Sequence, residues 1–175
     1  MKINGDLIID DTNTKLKDTI NPTFSYSQMK TTFTEKKLTS ETIIKDYGYG
    51  INMGDFAHSP SGGWIKVPAG SAKLIQLTGV ICGNGYCGAR YWIQDSSGTE
   101  MNYNDAGLSY QGLGVLYQFG GNYYWKAPMP TVNIRIPDTT KDWYVYLAAG
   151  PYQQTEFNMN AGFGACSWFG VAKLA

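Results

Sequence analysis

The chain has 175 residues, with 14 basic side chains, 14 acidic side chains and one histidine, so its formal net charge is zero. This balance provides no positive field to attract phosphates, which argues against a nucleic-acid-binding protein. Apolar residues make up 43% of the chain, enough for a core, so wholesale disorder is excluded. The 21 glycines and 13 tyrosines favour a mostly β protein with many turns, built as one domain or as one domain with a short appendage.

The first 60 or so residues differ from the rest, because they hold most of the Lys, Asp, Glu and Thr and few aromatic side chains. A short strand is predicted over 3–9. A helix is tempting over 34–46, but its apolar positions make no helical stripe, so this segment stays ambiguous. Glycine and proline interrupt 48–63, and the run 58–63 has the composition of a loop.

Period-two alternation of apolar side chains predicts a series of strands from Trp64 onward. The predicted strands are 73–82, 88–94, 113–119, 123–126, 131–136, 143–149 and 166–175. The turn signal Gly120-Gly121-Asn122 predicts that the third and fourth of these form a hairpin. The last strand is apolar on both faces, as expected for a strand that is covered on both sides. Closely spaced strands without intervening helices indicate an all-β, antiparallel β-sandwich of the jelly-roll type.

Cysteine usage and the lack of long apolar runs bear on the compartment. Three cysteines, Cys82, Cys87 and Cys166, are an odd number, and with a reducing site of synthesis they predict free thiols. A hairpin disulfide between Cys82 and Cys87, or half of a zinc site, remains as an alternative, although His58 is the sole imidazole. No stretch is long and apolar enough for a membrane helix or a signal peptide. We therefore expect assembly in a cytoplasm, with no membrane insertion.

Catalytic motifs are weak throughout the sequence. His58 lies among serines, but no Gly-x-Ser-x-Gly elbow presents a nucleophile, so a solvated loop histidine is the simpler interpretation. Asp95, Glu100 and Asp105 share one polar stretch and are the best candidates for paired glycosidase carboxylates, yet a long connection whose Asp and Asn side chains cap turns is the simpler interpretation. The glycines of 82–88 lack the lysine of a phosphate loop. We expect no enzyme activity, no cofactor and no metal.

Aromatic side chains beside amides and carboxylates suggest saccharide binding, because sugars present apolar C–H faces next to hydroxyl groups. Loop-adjacent positions with this mixture give the predicted carbohydrate-binding set: Tyr103, Asp105, Tyr110, Tyr123, Tyr124, Trp125, Tyr152 and Gln153. The same set could instead form a subunit interface or ordinary surface. Alternation along the strands places a second aromatic set in the core or in a subunit interface: Tyr91, Trp143, Tyr146, Trp168 and Phe169.

Two ends of the chain resemble known proteins. The opening INGDLIIDDTNTKLKD, residues 3–18, resembles short shaft or attachment segments of tail and baseplate proteins from phages of Gram-positive bacteria. The closing part resembles the trimeric jelly roll shared by tumour necrosis factor and the complement-type globular heads. DWYVYL, residues 142–147, is similar to their penultimate strand, and SWFGVAKL, residues 167–174, is similar to their last strand. No collagen-like or heptad stalk precedes this head.

The resemblance implies an N-terminal attachment or shaft-like segment over 1–60 and a jelly-roll head over 61–175. It further implies a homotrimeric receptor-binding protein of a phage virion, which contacts other tail or baseplate proteins through its N-terminal segment. The expected ligand is a host cell-surface polysaccharide or a teichoic-acid-like polymer, bound without catalysis. A purely architectural virion component and a small carbohydrate-active enzyme remain as alternatives.

Overall fold

The computed structural model describes residues 25–32, 34–103, 105, 114–119, 125–161 and 166–175. Within these ranges the chain forms strands and no helix, and every strand pairing is antiparallel. No helix of the described part is therefore long and apolar enough to cross a membrane. The predicted all-β, antiparallel sandwich is confirmed.

The described strands are short, with one exception near the middle of the chain. In chain order they are β1 (Tyr26–Thr31), β2 (Lys36–Leu38), β3 (Thr42–Ile43), β4 (Tyr47–Met53), β5 (Ala57–Ser59), β6 (Trp64–Val67), β7 (Leu74–Asp95), β8 (Gly114–Phe119), β9 (Trp125–Pro128), β10 (Val132–Arg135), β11 (Trp143–Pro151), β12 (Phe157–Met159) and β13 (Trp168–Lys173). β7 is 22 residues long and pairs with six other strands.

These strands form two layers that share β7. Sheet 1 has the order β4-β1-β13-β7, with β9 and β10 on the other side of the N-terminal half of β7. Sheet 2 has the order β5-β6-β11-β7-β8 and uses the C-terminal half of β7. One hydrophobic core contains fully buried side chains from both layers, among them Met29, Leu77, Phe169, Tyr91 and Val145. This core explains why the alternating positions of these strands are apolar.

The glycine-rich run 82–88, expected to separate two strands, instead lies inside β7, so that prediction was wrong. Gly83 brings the chain close to β12, because a Cβ added there would lie 2.6 Å from the Asn158 carbonyl oxygen and closer still to the Phe157 ring. Gly85 has a φ of 104°, a conformation that side chains with a Cβ rarely adopt. The glycines thus let one strand pass from sheet 1 into sheet 2.

The hairpin predicted for 113–119 and 123–126 is also not formed. β8 pairs with Gly85–Arg90 of β7, and β9 pairs with Val80–Gly83 of the same strand. The two strands therefore follow one another along the same side of β7, rather than pairing with each other in the described residues. A turn signal in sequence gives the position of a break, but the partner strand is chosen by long-range packing.

The segment that precedes residue 61 contributes strands to both layers. β1 lies between β13 and β4 in sheet 1, and β3 pairs with β11 in sheet 2. The ambiguous stretch 34–46 contains β2 and β3, and His58 lies on β5 rather than in a loop. Residues 25–60 thus belong to the sandwich, while the predicted attachment segment 3–18 lies outside the described residues.

Asp95 closes the turn that follows β7. Its Oδ1 accepts hydrogen bonds from the Ser97 amide at 2.9 Å, the Ser97 hydroxyl at 2.6 Å and the Thr99 amide at 3.1 Å. These bonds, the Ser97 hydroxyl first, hold the pKa of Asp95 below its ordinary value of 3.8. The turn is therefore stabilised by the charged carboxylate.

We expect Asp95→Asn to lower stability at neutral pH but not in acid. A pKa lowered by folding gives stability that is present above the unfolded-state pKa and lost as the pH falls through the folded-state pKa. The measurement is urea unfolding of both proteins at about pH 7 and about pH 2.5. A difference in unfolding free energy that is equally large at both pH values would contradict this interpretation.

Candidate functional site

The outward face of sheet 1 carries apolar and aromatic side chains in cross-strand rows. Residues directly opposite each other in a register share one face of a sheet. One such row crosses five strands and runs through Tyr49, Lys30, Trp168, Val80 and Pro128. In the described part of the chain no strand packs on this face, which we call the sheet 1 outer face.

One edge of the sheet 1 outer face is an apolar ridge. Tyr49, Ile51 and Met53 alternate along the edge strand β4 and are 48%, 46% and 55% exposed. Three large exposed apolar side chains in a line on an edge strand mark an interaction site, because monomeric proteins rarely leave such surface uncovered. Lys30 places its ammonium 5.3 Å from the centre of the Tyr49 ring, which fixes one end of the ridge.

The other side of the same face holds a groove. Its volume is about 280 Å³, and its lining is Lys30, Val80, Pro128, Cys166 and Trp168. The groove is mostly apolar, so it is suited to a hydrophobic side chain. Ridge and groove therefore lie on different parts of one face of the same chain.

Sequence reasoning missed the ridge. The alternation of Tyr49, Ile51 and Met53 is typical of a strand, but the glycines in the same segment are typical of a loop. An added Cβ at Gly50 would collide with the His58 ring, so the glycine leaves room for that ring. His58 Nδ1 in turn lies 2.5 Å from Asn52 Oδ1. The glycine therefore accommodates a neighbour inside a regular strand.

Tyr103, predicted to bind saccharide, is part of the core. Its side chain is 6% exposed, and its hydroxyl donates to Glu100 Oε1 at 2.7 Å and accepts from the Ile93 amide at 3.3 Å. Burial, with the Glu100 carboxylate next to the hydroxyl, holds the pKa of Tyr103 above its usual range. The Tyr103 ring therefore packs inside the fold and holds Glu100 and Ile93 in place, rather than facing solvent.

Tyr152 and Gln153 do lie on the surface, directly after β11. Tyr152 is 39% exposed, and Gln153 adopts a φ of 55°, a left-handed conformation that is uncommon for residues other than glycine. The Tyr152 amide donates to the Tyr86 carbonyl oxygen at 3.1 Å, and the Gln154 side chain donates to the same oxygen at 2.8 Å. These bonds hold a ring and an amide side by side at one end of the sandwich.

The other predicted site residues are described only in part. Asp105 is exposed and its amide donates to the Asn102 carbonyl oxygen at 3.1 Å. The backbone of Trp125 lies in β9, while its side chain is outside the described set, as are Tyr110, Tyr123 and Tyr124. Of the aromatic set predicted for the core or an interface, Tyr91, Trp143, Tyr146 and Phe169 are buried, and Trp168 is half-buried.

Several candidate reactive groups are buried or paired with other side chains. None of the three cysteines forms a disulfide, and Cys82 and Cys87 are buried. Burial raises the pKa of the Cys87 thiol to about 12. Arg90 donates to Glu41 and to Glu100, each at 2.7 Å, so both carboxylates are paired with one guanidinium. In the described ranges no group of three or more potential ligand side chains could hold a metal ion.

Comparisons with known proteins identify the fold. No family model matches the sequence, and no curated protein matches it. A solved structure, the Eiger TNF from S. frugiperda, is similar with a TM-score of 0.56, over 87% of this chain and 93% of that chain, at 7% sequence identity. At this identity the likeness concerns the fold alone. The chain therefore has a tumour necrosis factor-like jelly-roll fold.

Proposed function

We propose that this chain is the head of a homotrimeric, non-catalytic receptor-binding protein, whose subunits pack through the sheet 1 outer face. The observation that carries the proposal is the combination of an exposed apolar ridge at Tyr49, Ile51 and Met53 with a groove at Trp168 on the same face. A ridge that enters the groove of the next copy makes a head-to-tail contact, and such contacts form a ring when the rotation between copies closes. The tumour necrosis factor-like fold supports a ring of three.

The assembly would explain a feature of the last strand. β13 is apolar on both faces, yet Trp168 and Ala172 on its outward face are only half-buried in the single chain. A second copy on this face would remove their remaining apolar surface from water, at about 25 cal/mol per Å². Subunit packing would thus bury the outward face of β13, in keeping with the apolar residues on that face.

The proposed role is recognition of a host cell-surface polysaccharide by a phage tail or baseplate. Tyr152 and Gln153 offer an exposed ring beside an amide at one end of the sandwich, the combination that saccharide sites use. Identical copies in a trimer, and many trimers on one particle, raise the effective affinity without new contacts. The resemblance of 3–18 to phage attachment segments supports a virion location.

An architectural role is the second candidate, favoured by the large apolar content of the sheet 1 outer face. In that case Tyr152 would be covered by another virion protein. The two roles differ in what Tyr152→Ala affects, because loss of glycan binding by intact trimers indicates recognition, whereas loss of particle assembly indicates architecture.

We expect wild-type trimers to bind a subset of polysaccharides on a bacterial glycan array, and Tyr152→Ala to weaken that binding about tenfold. The exposed ring contributes little to the fold, so the variant should unfold at the same temperature as the wild type. Thr155→Ala, an exposed change in the same loop, is the matched control and should bind normally. Absence of binding by confirmed wild-type trimers would contradict the recognition role.

A further inference from the structure

The outward face of sheet 2 carries a second group of aromatic side chains, away from the sheet 1 outer face. Tyr144 lies opposite Gln94 on one side and opposite Lys66 on the other, and Tyr146 lies opposite Trp92. Trp64 follows on β6, opposite Ser59 of the edge strand β5. We call Trp64, Trp92, Gln94, Tyr144 and Tyr146 the platform. In the single chain Tyr146 is 8% exposed, whereas Trp64, Trp92, Gln94 and Tyr144 are partly exposed. Because these four belong to the other layer, subunit packing through sheet 1 leaves them uncovered.

The platform side chains are held in place by one another. The Trp64 and Tyr144 rings meet edge to face, with centres 5.2 Å apart and planes at 85°. The Gln94 amide joins the other two rings, because its oxygen accepts from Trp92 Nε1 and its nitrogen donates to the Tyr146 hydroxyl, both at 3.2 Å. Fixed rings lose little conformational freedom when a ligand binds, which favours affinity.

The cations next to the platform are paired with carboxylates of the same chain. Lys66 Nζ lies 2.7 Å from Asp142, and Arg90 is paired with Glu41 and Glu100 while stacking on Trp92 at 4.2 Å. Among the described side chains of these strands, Lys66 and Arg90 are the cations that lie on this face. With both neutralised by carboxylates, the face has no positive charge left to select a polyanion.

We propose that the platform binds a neutral saccharide chain, an inference that rests on the proposed recognition function. Partly exposed rings at Trp64, Trp92 and Tyr144 offer apolar surface for the C–H faces of pyranose rings. The Gln94 amide retains one donor hydrogen and one lone pair for hydroxyl groups beyond its two bonds within the platform. A flat sheet face suits a polymer lying across several strands, whereas a phosphate-rich polymer lacks an unpaired cation here.

The test is affinity electrophoresis of the full-length protein in native gels that contain one probe each. The neutral probes are a β-glucan, an α-glucan and a galactomannan, and polyglycerol phosphate is the anionic probe. Trp64→Ala and Tyr144→Leu remove platform rings, and Tyr144→Leu keeps an apolar side chain in case truncation disturbs the sheet. Tyr152→Ala removes the exposed ring of the other candidate site, and Thr155→Ala, an exposed change outside the platform, is the matched control.

The proposal predicts that at least one neutral probe retards the wild type and that polyglycerol phosphate does not. Both platform variants should then bind about tenfold more weakly, while Thr155→Ala keeps its retardation. Retardation that survives both platform changes and disappears in Tyr152→Ala overturns the platform and leaves the recognition function intact. Retardation by polyglycerol phosphate alone overturns the neutral ligand. A wild-type trimer that no probe retards counts against the recognition function itself, and the platform falls with it.

Discussion

Replacing Ile51 with lysine is expected to convert the proposed trimer into folded monomers. Ile51 is 46% exposed in the single chain and lies on an edge strand, where lysine is well tolerated, so the fold should lose less than about 0.5 kcal/mol. In the trimer the same position would be buried against the next copy, where an unpaired ammonium costs several kcal/mol. Sedimentation velocity gives the mass, and thermal unfolding by circular dichroism checks the fold.

The control for this change is Ser96→Lys, an exposed substitution in the turn after β7 that adds the same charge away from the ridge. It should remain trimeric. Cys166 gives a second readout, because its thiol lines the groove that the ridge would fill. Thiol titration should be slow in the wild type and faster in Ile51→Lys. A variant that keeps the wild-type mass and thiol rate would contradict the ridge-in-groove interface.

Gly83→Ala is expected to destabilise the chain by about 3 kcal/mol, a large share of the stability of a typical domain. The new methyl group would lie 2.6 Å from the Asn158 carbonyl oxygen, a backbone atom that cannot move without shifting β12. It would also collide with Phe157, which is fully buried. With this methyl group β7 could no longer approach β12 as closely. Urea unfolding measures the loss of unfolding free energy.

Gly48→Ala is the matched control, because a Cβ at that position meets nothing closer than 3.6 Å, which is an ordinary contact. Its free energy of unfolding should stay close to that of the wild type. Equal effects of the two substitutions would show that steric contact with β12 is not what requires glycine at position 83.

The strands with one buried face could be predicted almost residue by residue. The segment 131–136 contains β10, because alternating burial imposes a period of two on its sequence. The segment 143–149 lies within β11, where burial alternates only over the first residues. Tyr91 was correctly assigned to the core for the same reason. The fold class followed from these strands and from the absence of helical periodicity between them.

Features that depend on a distant partner could not be predicted. A glycine that lets another strand approach and a glycine that makes a turn give the same local signal, so Gly83 and Gly50 were both misinterpreted. Tyr103 has the polar neighbours typical of a binding loop, but its hydroxyl is bonded to Glu100 inside the fold. The platform rings likewise come from three strands, and only their pairing brings Trp64 to Tyr144.

The central claim is that the sheet 1 outer face joins identical copies of this chain. Light scattering coupled to size-exclusion chromatography of the wild-type protein tests it most directly. We predict a particle of three chains of 19.3 kDa each, stable on dilution to low micromolar concentration. A monomer of one chain under the same conditions would contradict the claim, because the ridge and the groove would then remain exposed to water.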